Sequence, residues 1–291
     1  MIFFSAEFHS ARKLFEETNN EKKTYTWQAI TAPYCFNTGG AAAPVSAANI
    51  CAAYNIVQPY FANAIAGLNG DVYWLSTVYG ALVRLAFHDA GEVDITASDI
   101  YGPDGCLSYD SANTGLVDLL SLVYYSVEPL YQQVCGLISR ADFWVMLAKL
   151  ALESAEPTGA LTIDYQYGRI DAKWANGCSV YGRLPSSEGT VDEMYRVFVT
   201  QMGMDLNDAA TLLGAHTLGH VHTYYSGYGT ANSIADGYTN GFDDTPHIFD
   251  NNYYYNMLIN VSHNTFLLSR IVVWIVDYRH GPLRPRPSFR V

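Results

Sequence analysis

The stretch Ala81-Leu82-Val83-Arg84-Leu85-Ala86-Phe87-His88-Asp89-Ala90-Gly91 constrains the chain more than any other. It holds no glycine or proline before position 91, and its apolar residues at 82, 85 and 86 have the spacing of a buried helix. Arg84 and His88 stand at i and i+4, one turn apart, and project from one face. A fixed cation and an imidazole sharing an apolar face are costly unless that face lines a working pocket. The pair suits proton transfer beside a developing negative charge, with His88 as acid–base and Arg84 as electrostatic clamp. Taken alone, the same spacing also fits a surface arginine beside a satisfied core histidine.

The chain has 291 residues, 49% hydrophobic and 15% charged, enough to bury one sizeable core or two subdomains around a cleft. Its formal net charge of -12 argues against a nucleic-acid partner and against an anionic membrane surface. No apolar run approaches the roughly 18–20 residues needed to span a bilayer; the run from Ile271 to Val276 is far too short. Met1-Ile2-Phe3-Phe4 begins apolar but meets Glu7 and His9 at once, so no signal peptide is visible. Five cysteines, at 35, 51, 106, 135 and 178, form no CxxC pair. That count fits one or two disulfides with a free thiol, or none, and leaves the compartment open.

Read in order, the chain is mainly α with few short strands. A short helix is expected over Ser10 to Glu17, then a loop from Cys35 to Val45. A helix over Ser46 to Leu68 ends at Gly67 and the Asn69-Gly70 pair, and Trp74 to Ala90 forms the next. The polar loop from Glu92 to Gly105 carries Asp94, Asp99 and Asp104 behind Asp89, which reads as solvated surface or a hard-cation site. Asn113-Thr114-Gly115-Leu116 opens a helix with Leu116, Leu119, Leu120 and Val123 as its stripe. Ser139 caps a buried helix with Asp142 at its third position. The Gly/Pro-rich connection from Gly168 to Pro185 is the expected hinge between two helical halves. Thr190 caps Val191 to Met202, and Asp205 caps Leu206 to His220. The expected division is an N-terminal extension over 1–45, partly disordered, a domain over 46–268 split into halves at about 168 and 169, and an atypical basic tail over 269–291.

Leu212-Leu213-Gly214-Ala215-His216-Thr217-Leu218-Gly219-His220 surrounds a second histidine with small residues that admit a large flat group. Spacing alone leaves two readings. His216, His220 and His222 could form a zinc triad, though no HExxH glutamate accompanies them. Alternatively, His216 is a single axial ligand beneath a porphyrin.

Arg84-Leu85-Ala86-Phe87-His88-Asp89 together with Gly214-Ala215-His216-Thr217-Leu218-Gly219 resembles the plant, fungal and bacterial haem peroxidase superfamily. The likeness runs from about Trp74 to about Asn256, through Asn113-x-Gly-Leu, Ser139-Arg-Ala-Asp142, Gly168-Arg-x-Asp171, Gly182-Arg-Leu-Pro185 and Ile248-Phe-Asp-Asn251, in the family's order. The resemblance implies two helical subdomains sandwiching haem b in a monomer. It gives Arg84, His88 and Asn113 catalytic positions: His88 as distal acid–base, Arg84 as its charge-stabilising partner, and Asn113 as the residue fixing the imidazole tautomer. It makes His216 the iron ligand, sets Phe87, Phe242 and Pro185 against the cofactor, and gives Asp142 and Arg169 a structural ion pair. Hydrogen peroxide would be reduced to water through a ferryl intermediate.

By the same resemblance Thr217, Asp243, Thr245, Ile248 (through its carbonyl) and Asp250 match a proximal calcium site. Asp89, Gly102 and Asp104 match a distal calcium site in which Cys106 replaces a serine. Phe87 and Phe242 stand where the intracellular classes carry tryptophan. Tyr225 replaces the arginine of the ascorbate enzymes, Ala81 and Thr77 replace the glutamates of the manganese enzymes, and Thr211 replaces the exposed tryptophan of the lignin-attacking ones. A secreted-type enzyme oxidising small phenolic or aromatic donors is the expectation that remains. The 23 tyrosines read as bulk and not as radical relays. Past Asn256 the likeness is expected to stop: Arg270 follows Ser269 where the family places the aspartate that accepts from the proximal histidine. A truncated, mis-spliced or diverged end would give this, and a haem-binding protein of the same fold with little turnover is the alternative it raises.

Overall fold

In the computed structural model, residues 46–98, 101–107, 111–116, 126–172, 182–186, 189–221 and 241–259 are described. The expected N-terminal helix, the basic tail, Cys35, Cys178, His222, Tyr225 and the 173–181 part of the expected hinge lie outside them.

Helix α1 spans Ala47–Gly67 and is capped by Ser46, whose hydroxyl accepts from the Asn49 amide at 3.2 Å. It ends where Asn69 and Gly70 adopt positive φ, a conformation that asparagine and glycine accept most readily. Helix α2, Val72–Ala90, begins two residues earlier than the apolar pattern suggests, because the Asp71 carboxylate accepts from the Trp74 amide. Helix α3 is Glu128–Val134 and α4 is Arg140–Ala155. Ser139 caps α4 by accepting from the Asp142 amide at 3.1 Å. Asp142 does not complete a reciprocal capping box. Its buried carboxylate instead accepts from the Gly168 amide at 2.6 Å and from Arg169 Nη1 at 2.8 Å. The Asp142–Arg169 ion pair thus ties the following loop to the start of α4.

Thr190 caps α5, Val191–Met194, and the chain continues as a π-helical turn, Tyr195–Gln201, so the expected single helix changes pitch midway. Helix α6, Leu206–Leu213, is capped by Asp205 and tightens into a 3₁₀ turn, Gly214–Thr217. It does not reach His220. Leu218 turns extended and Gly219 takes φ +92, so the chain leaves the helix although its apolar pattern continues. Helix α7 is Asn252–Ile259. Asn113 lies in a 3₁₀ turn, Ser111–Asn113, and residues 117–125 of the helix expected after it lie outside the described residues. Among the described residues the β structure is one antiparallel bridge, His220 to Gly241. No described helix is long and apolar enough to cross a membrane.

Two apolar clusters organise these helices. One joins α1, α2, α3 and α4 around Val57, Leu85, Phe143 and Ala151, all fully buried. The other joins the π-helical turn, α6 and α7 around Phe198, Leu213, Tyr253 and Met257, with Phe87 and Phe242 packed on it. Helix α2 serves both, burying Leu82 and Leu85 in the first and presenting Phe87 to the second.

Candidate active site

On α2 the Nδ1–H of His88 donates to Asn113 Oδ1 at 2.8 Å, which leaves the Nε2 lone pair as the basic end of the ring. Arg84 donates from Nε to that nitrogen at 3.3 Å. Its two terminal nitrogens donate to the carbonyls of Thr114 and Ala112, at 3.0 and 2.8 Å. The guanidinium therefore grips both sides of Asn113 while Asn113 grips His88, so the three expected residues form one rigid unit. Asn113 is fully buried. Burial above all, and then the Arg84 charge, pull the His88 imidazole down to about 3, against the opposing Asn113 hydrogen bond. His88 is a neutral base at any physiological pH.

At the end of α6 the Nδ1–H of His216 donates to the Leu213 carbonyl at 3.0 Å. Among the described residues Nε2 has no hydrogen-bond partner, and burial keeps the ring neutral. Phe242 meets this ring edge-on at 4.9 Å, and Tyr253 stacks on it at 5.5 Å. Electrostatic influence of His216 reaches His88, and that of Arg84 reaches His216. Both imidazoles keep part of their accessible surface although burial dominates their titration. A neutral imidazole whose Nδ1 already donates and whose Nε2 is unbonded among the described residues is the donor that a haem iron takes, so these residues fit that group. His220 leaves the helix that carries His216, and its Nδ1 lies 2.9 Å from Ser76 Oγ, while His222, the third member of the zinc alternative, lies outside the described residues. Pro185 is half-buried beside Leu184, which packs near Gly91.

Around Thr217 the expected oxygen donors converge. The buried Thr217 hydroxyl lies 2.6 Å from Asp243 Oδ2, 3.1 Å from Asp250 Oδ1 and 3.5 Å from the Ile248 carbonyl, and Thr245 Oγ1 donates to Asp250 Oδ2 at 3.0 Å. One hydroxyl proton faces three acceptors, a surplus of oxygen that suits a hard cation. The distal set differs. Asp89 accepts the backbone N–H groups of Asp104, Gly105 and Cys106, so its oxygens already hold the loop that carries Gly102 and Asp104. Cys106 is disulfide-bonded, as is Cys135, while Cys51 is an exposed free thiol. Among the described residues no group of three or more His, Cys, Asp or Glu side chains is placed to hold a metal ion. A separate cavity of about 230 Å³, lined by Cys51, Tyr54 and Lys149 among others, includes neither histidine.

Several contributors were not anticipated: the Leu213 carbonyl beneath His216, the Ala112 and Thr114 carbonyls on Arg84, Tyr253 on the ligand ring, and Phe198 stacked on Phe87 at 6.3 Å. Backbone acceptors carry no signature in side-chain identity. The aromatic contacts come from chain segments far apart in sequence.

A mainly helical chain that turns an Arg–His–Asn unit toward a second, neutral imidazole has the architecture of the plant-type haem peroxidase superfamily. The family model described as Peroxidase matches residues 69–273, and the chain belongs to that family. The match runs beyond Asn256, where the motif likeness was expected to stop. The chain is 35% identical over 158 residues to a probable chloroplastic L-ascorbate peroxidase 8 of Oryza sativa subsp. japonica, an alignment covering 51% of this chain and 31% of that protein. It is 34% identical over 158 residues to the chloroplastic L-ascorbate peroxidase T of Arabidopsis thaliana, covering 51% of this chain and 35% of the relative. With the cytosolic L-ascorbate peroxidase 2 of rice it shares 32% identity over 178 residues, 60% of this chain and 62% of that one. The chain therefore spans between about a third and two thirds of the relatives it matches.

Proposed function

We propose that the chain is a haem peroxidase that reduces hydrogen peroxide to water at the expense of a small reductant. The observation that carries this reading is the pair of buried, neutral imidazoles, His88 held by Asn113 and His216 held by Leu213. His216 Nε2 would hold the iron of haem b, with Phe242, Phe87 and Pro185 at its margins. Bound there, haem supplies the metal that takes the peroxide oxygen and relays electrons. His88 Nε2 accepts the proton of the near peroxide oxygen and returns it to the far one, which departs as water. Arg84, fixed by two carbonyls, stabilises the charge that builds on the departing oxygen. Asn113 keeps the proton on Nδ1, so that Nε2 is always the reactive end.

For the donor, Tyr225, Thr77 and Ala81 support a small phenol, because the side chains that the resemblance ties to ascorbate or manganese are missing there. The second reading, ascorbate, is supported by the names of the relatives. Steady-state assays with guaiacol and ascorbate side by side choose between them. A haem-binding protein with little turnover draws support from the carbonyl, and not carboxylate, acceptor on His216. The Thr217–Asp250 set supports one calcium ion. The bonded Cys106 and Cys135 favour an oxidising, secreted-type location, whereas the relatives carry names that read chloroplastic, cytosolic and peroxisomal. Adding haemin to the purified chain and to His216→Ala tests the main reading. A ferric haem spectrum that responds to peroxide in the first and is lost in the second is expected; identical spectra in both would remove His216 from the ligand role.

A further inference from the structure

Ser76, Gly80, Arg84 and His88 follow one another at intervals of four residues and form a single ridge along α2. The upper half of this ridge is the Arg84–His88 pair. The lower half meets the segment that leaves His216. An ideal Cβ on Gly80 would lie 2.6 Å from the Gly219 Cα, so two backbones touch where a side chain would stand between them. One residue on, His220 Nδ1 lies 2.9 Å from Ser76 Oγ, and the ring leans on Tyr73 with centroids 4.7 Å apart. Ser76 Oγ also donates to the Tyr73 carbonyl at 2.8 Å, which turns an oxygen lone pair toward the imidazole. Ser76 is fully buried, so this contact is an internal fastening and not a surface for a donor molecule.

The far side of the fastening is equally fixed. Gly219 donates its amide to the Pro246 carbonyl at 2.8 Å, and His220 bridges Gly241. The segment therefore cannot slide without disturbing the Asp243–Asp250 loop. Gly219 itself sits at φ +92, so both chain direction and close approach require glycine there.

We propose that the Gly80–Gly219 contact and the Ser76–His220 clasp form the closed vertex of the haem slot, and that Gly80 and His220 are positioning residues for haem. The inference rests on His216 as the iron ligand. From Gly80 to His88 the helix rises about 12 Å, at 1.5 Å per residue. From Gly219 back to His216 is three residues. Two walls joined at Gly80 and Gly219 thus carry the two histidines at their open ends, and a small wedge at the vertex changes the gap between them. The slot width is set by a contact that neither histidine makes.

The test uses the full chain reconstituted with haemin, compared with Gly80→Ala, Ser76→Ala, His220→Phe and His220→Asn. Readouts are haem transfer to excess apomyoglobin, ferric spin state by absorption, and the iron–imidazole stretch of the ferrous form by resonance Raman. Gly80→Ala raises helix propensity by up to about 1 kcal/mol, so any loss it causes comes from the contact. Haem loss roughly five- to tenfold faster and a displaced iron–imidazole band are expected for Gly80→Ala and His220→Phe, the scale of one or two buried hydrogen bonds. His220→Asn, which keeps a polar atom near the Nδ1 position, should recover most of the difference. Ser76→Ala combined with His220→Phe should be no worse than the poorer single variant. Wild-type transfer rates and an unmoved band in folded variants would overturn the vertex. Should His220→Phe not fold, Ser76→Ala, which removes one oxygen, decides by the same readouts. His216→Ala is run alongside. If it alone loses haem while the vertex variants match wild type, only this inference fails; if it keeps the iron–imidazole band, the ligand assignment fails instead.

Discussion

The Nδ1–H of His216 donates to the main-chain carbonyl of Leu213, three residues back on the same helical end, at 3.0 Å. A neutral carbonyl is a weaker acceptor than the carboxylate that the superfamily resemblance calls for, so the imidazole carries less anionic character. Less electron density reaches a bound iron, and the ferrous state gains. Potentiometric titration should place the ferric/ferrous midpoint above that of a peroxidase whose ligand histidine donates to aspartate. An equal or lower midpoint would mean that a carboxylate reaches His216 after all.

Asn113 holds the tautomer of His88. Replacing it with leucine leaves the Nδ1–H without its acceptor and lets the proton move to Nε2, the end that must accept one. Stopped-flow mixing of the haem-loaded variant with peroxide should show a rate at least roughly tenfold lower, a fraction of the 10²–10⁴ typical of acid–base catalysis. His88→Leu should lose more, since it removes the base outright. A wild-type rate in either variant would take the proton transfer away from His88.

The Arg84–His88 pair was legible because helix geometry converts a four-residue interval into adjacency, and Asn113 only because the resemblance to the family assigns its position a role. The end of the His216 helix was not legible. Apolar spacing continues through Leu218, and only the backbone at Gly219, pressed on Gly80, shows why the chain turns out. Asp89 had two readings in the sequence, solvated surface or a hard-cation site, and neither foresaw the three backbone amides that its carboxylate accepts. The Ser76–Gly80 half of the ridge was not legible, since its partner lies some 140 residues away.

Burial holds His88 down to about 3 and His216 below its ordinary value, and the sign of the resulting pH effect follows. An unfolded chain takes up protons on both rings as pH falls through about 6.5, while the folded chain refuses them. The contribution of these two rings to the stability of the haem-free chain is therefore complete above that pH and is lost as pH drops toward about 3, while the raised Asp104 and Asp243 carboxyls act in the opposite sense. Urea melts at pH 7.5 and pH 5 read this, and His88→Leu should shift the midpoint at pH 5 upward relative to that at pH 7.5, compared with wild type. An unchanged gap in that variant would show that His88 is not desolvated as described.

Among the described cysteines only Cys51 should react with iodoacetamide in the folded, unreduced protein, since Cys106 and Cys135 are bonded. Mass spectrometry before and after reduction reads this directly. Alkylation of Cys106 without reductant would remove the disulfide and the case for an oxidising compartment with it.

Calcium binding at the proximal loop gives the remaining prediction. Burial raises the Asp243 carboxyl, with the Asp250 and Asp244 charges adding to the rise, against the Thr217 hydroxyl and the Thr245 amide that oppose it. Asp243 and Asp250 crowd one hydroxyl that has a single proton to give. A divalent cation between them would relieve both the repulsion and the surplus of acceptors, and Thr217 follows the iron ligand directly, so the loop and the ligand would stiffen together. A ligand that binds only the folded state stabilises it by about 2.7 kcal/mol at a hundred times its dissociation constant. Calcium added to chelator-treated protein should therefore raise the thermal midpoint by several degrees, and slow haem loss as well. Asp250→Asn keeps the shape of the loop but removes one charge, and should weaken both responses. Equal midpoints with calcium and with chelator would show that the hydrogen bonds around Thr217 are sufficient by themselves, and that no cation belongs there.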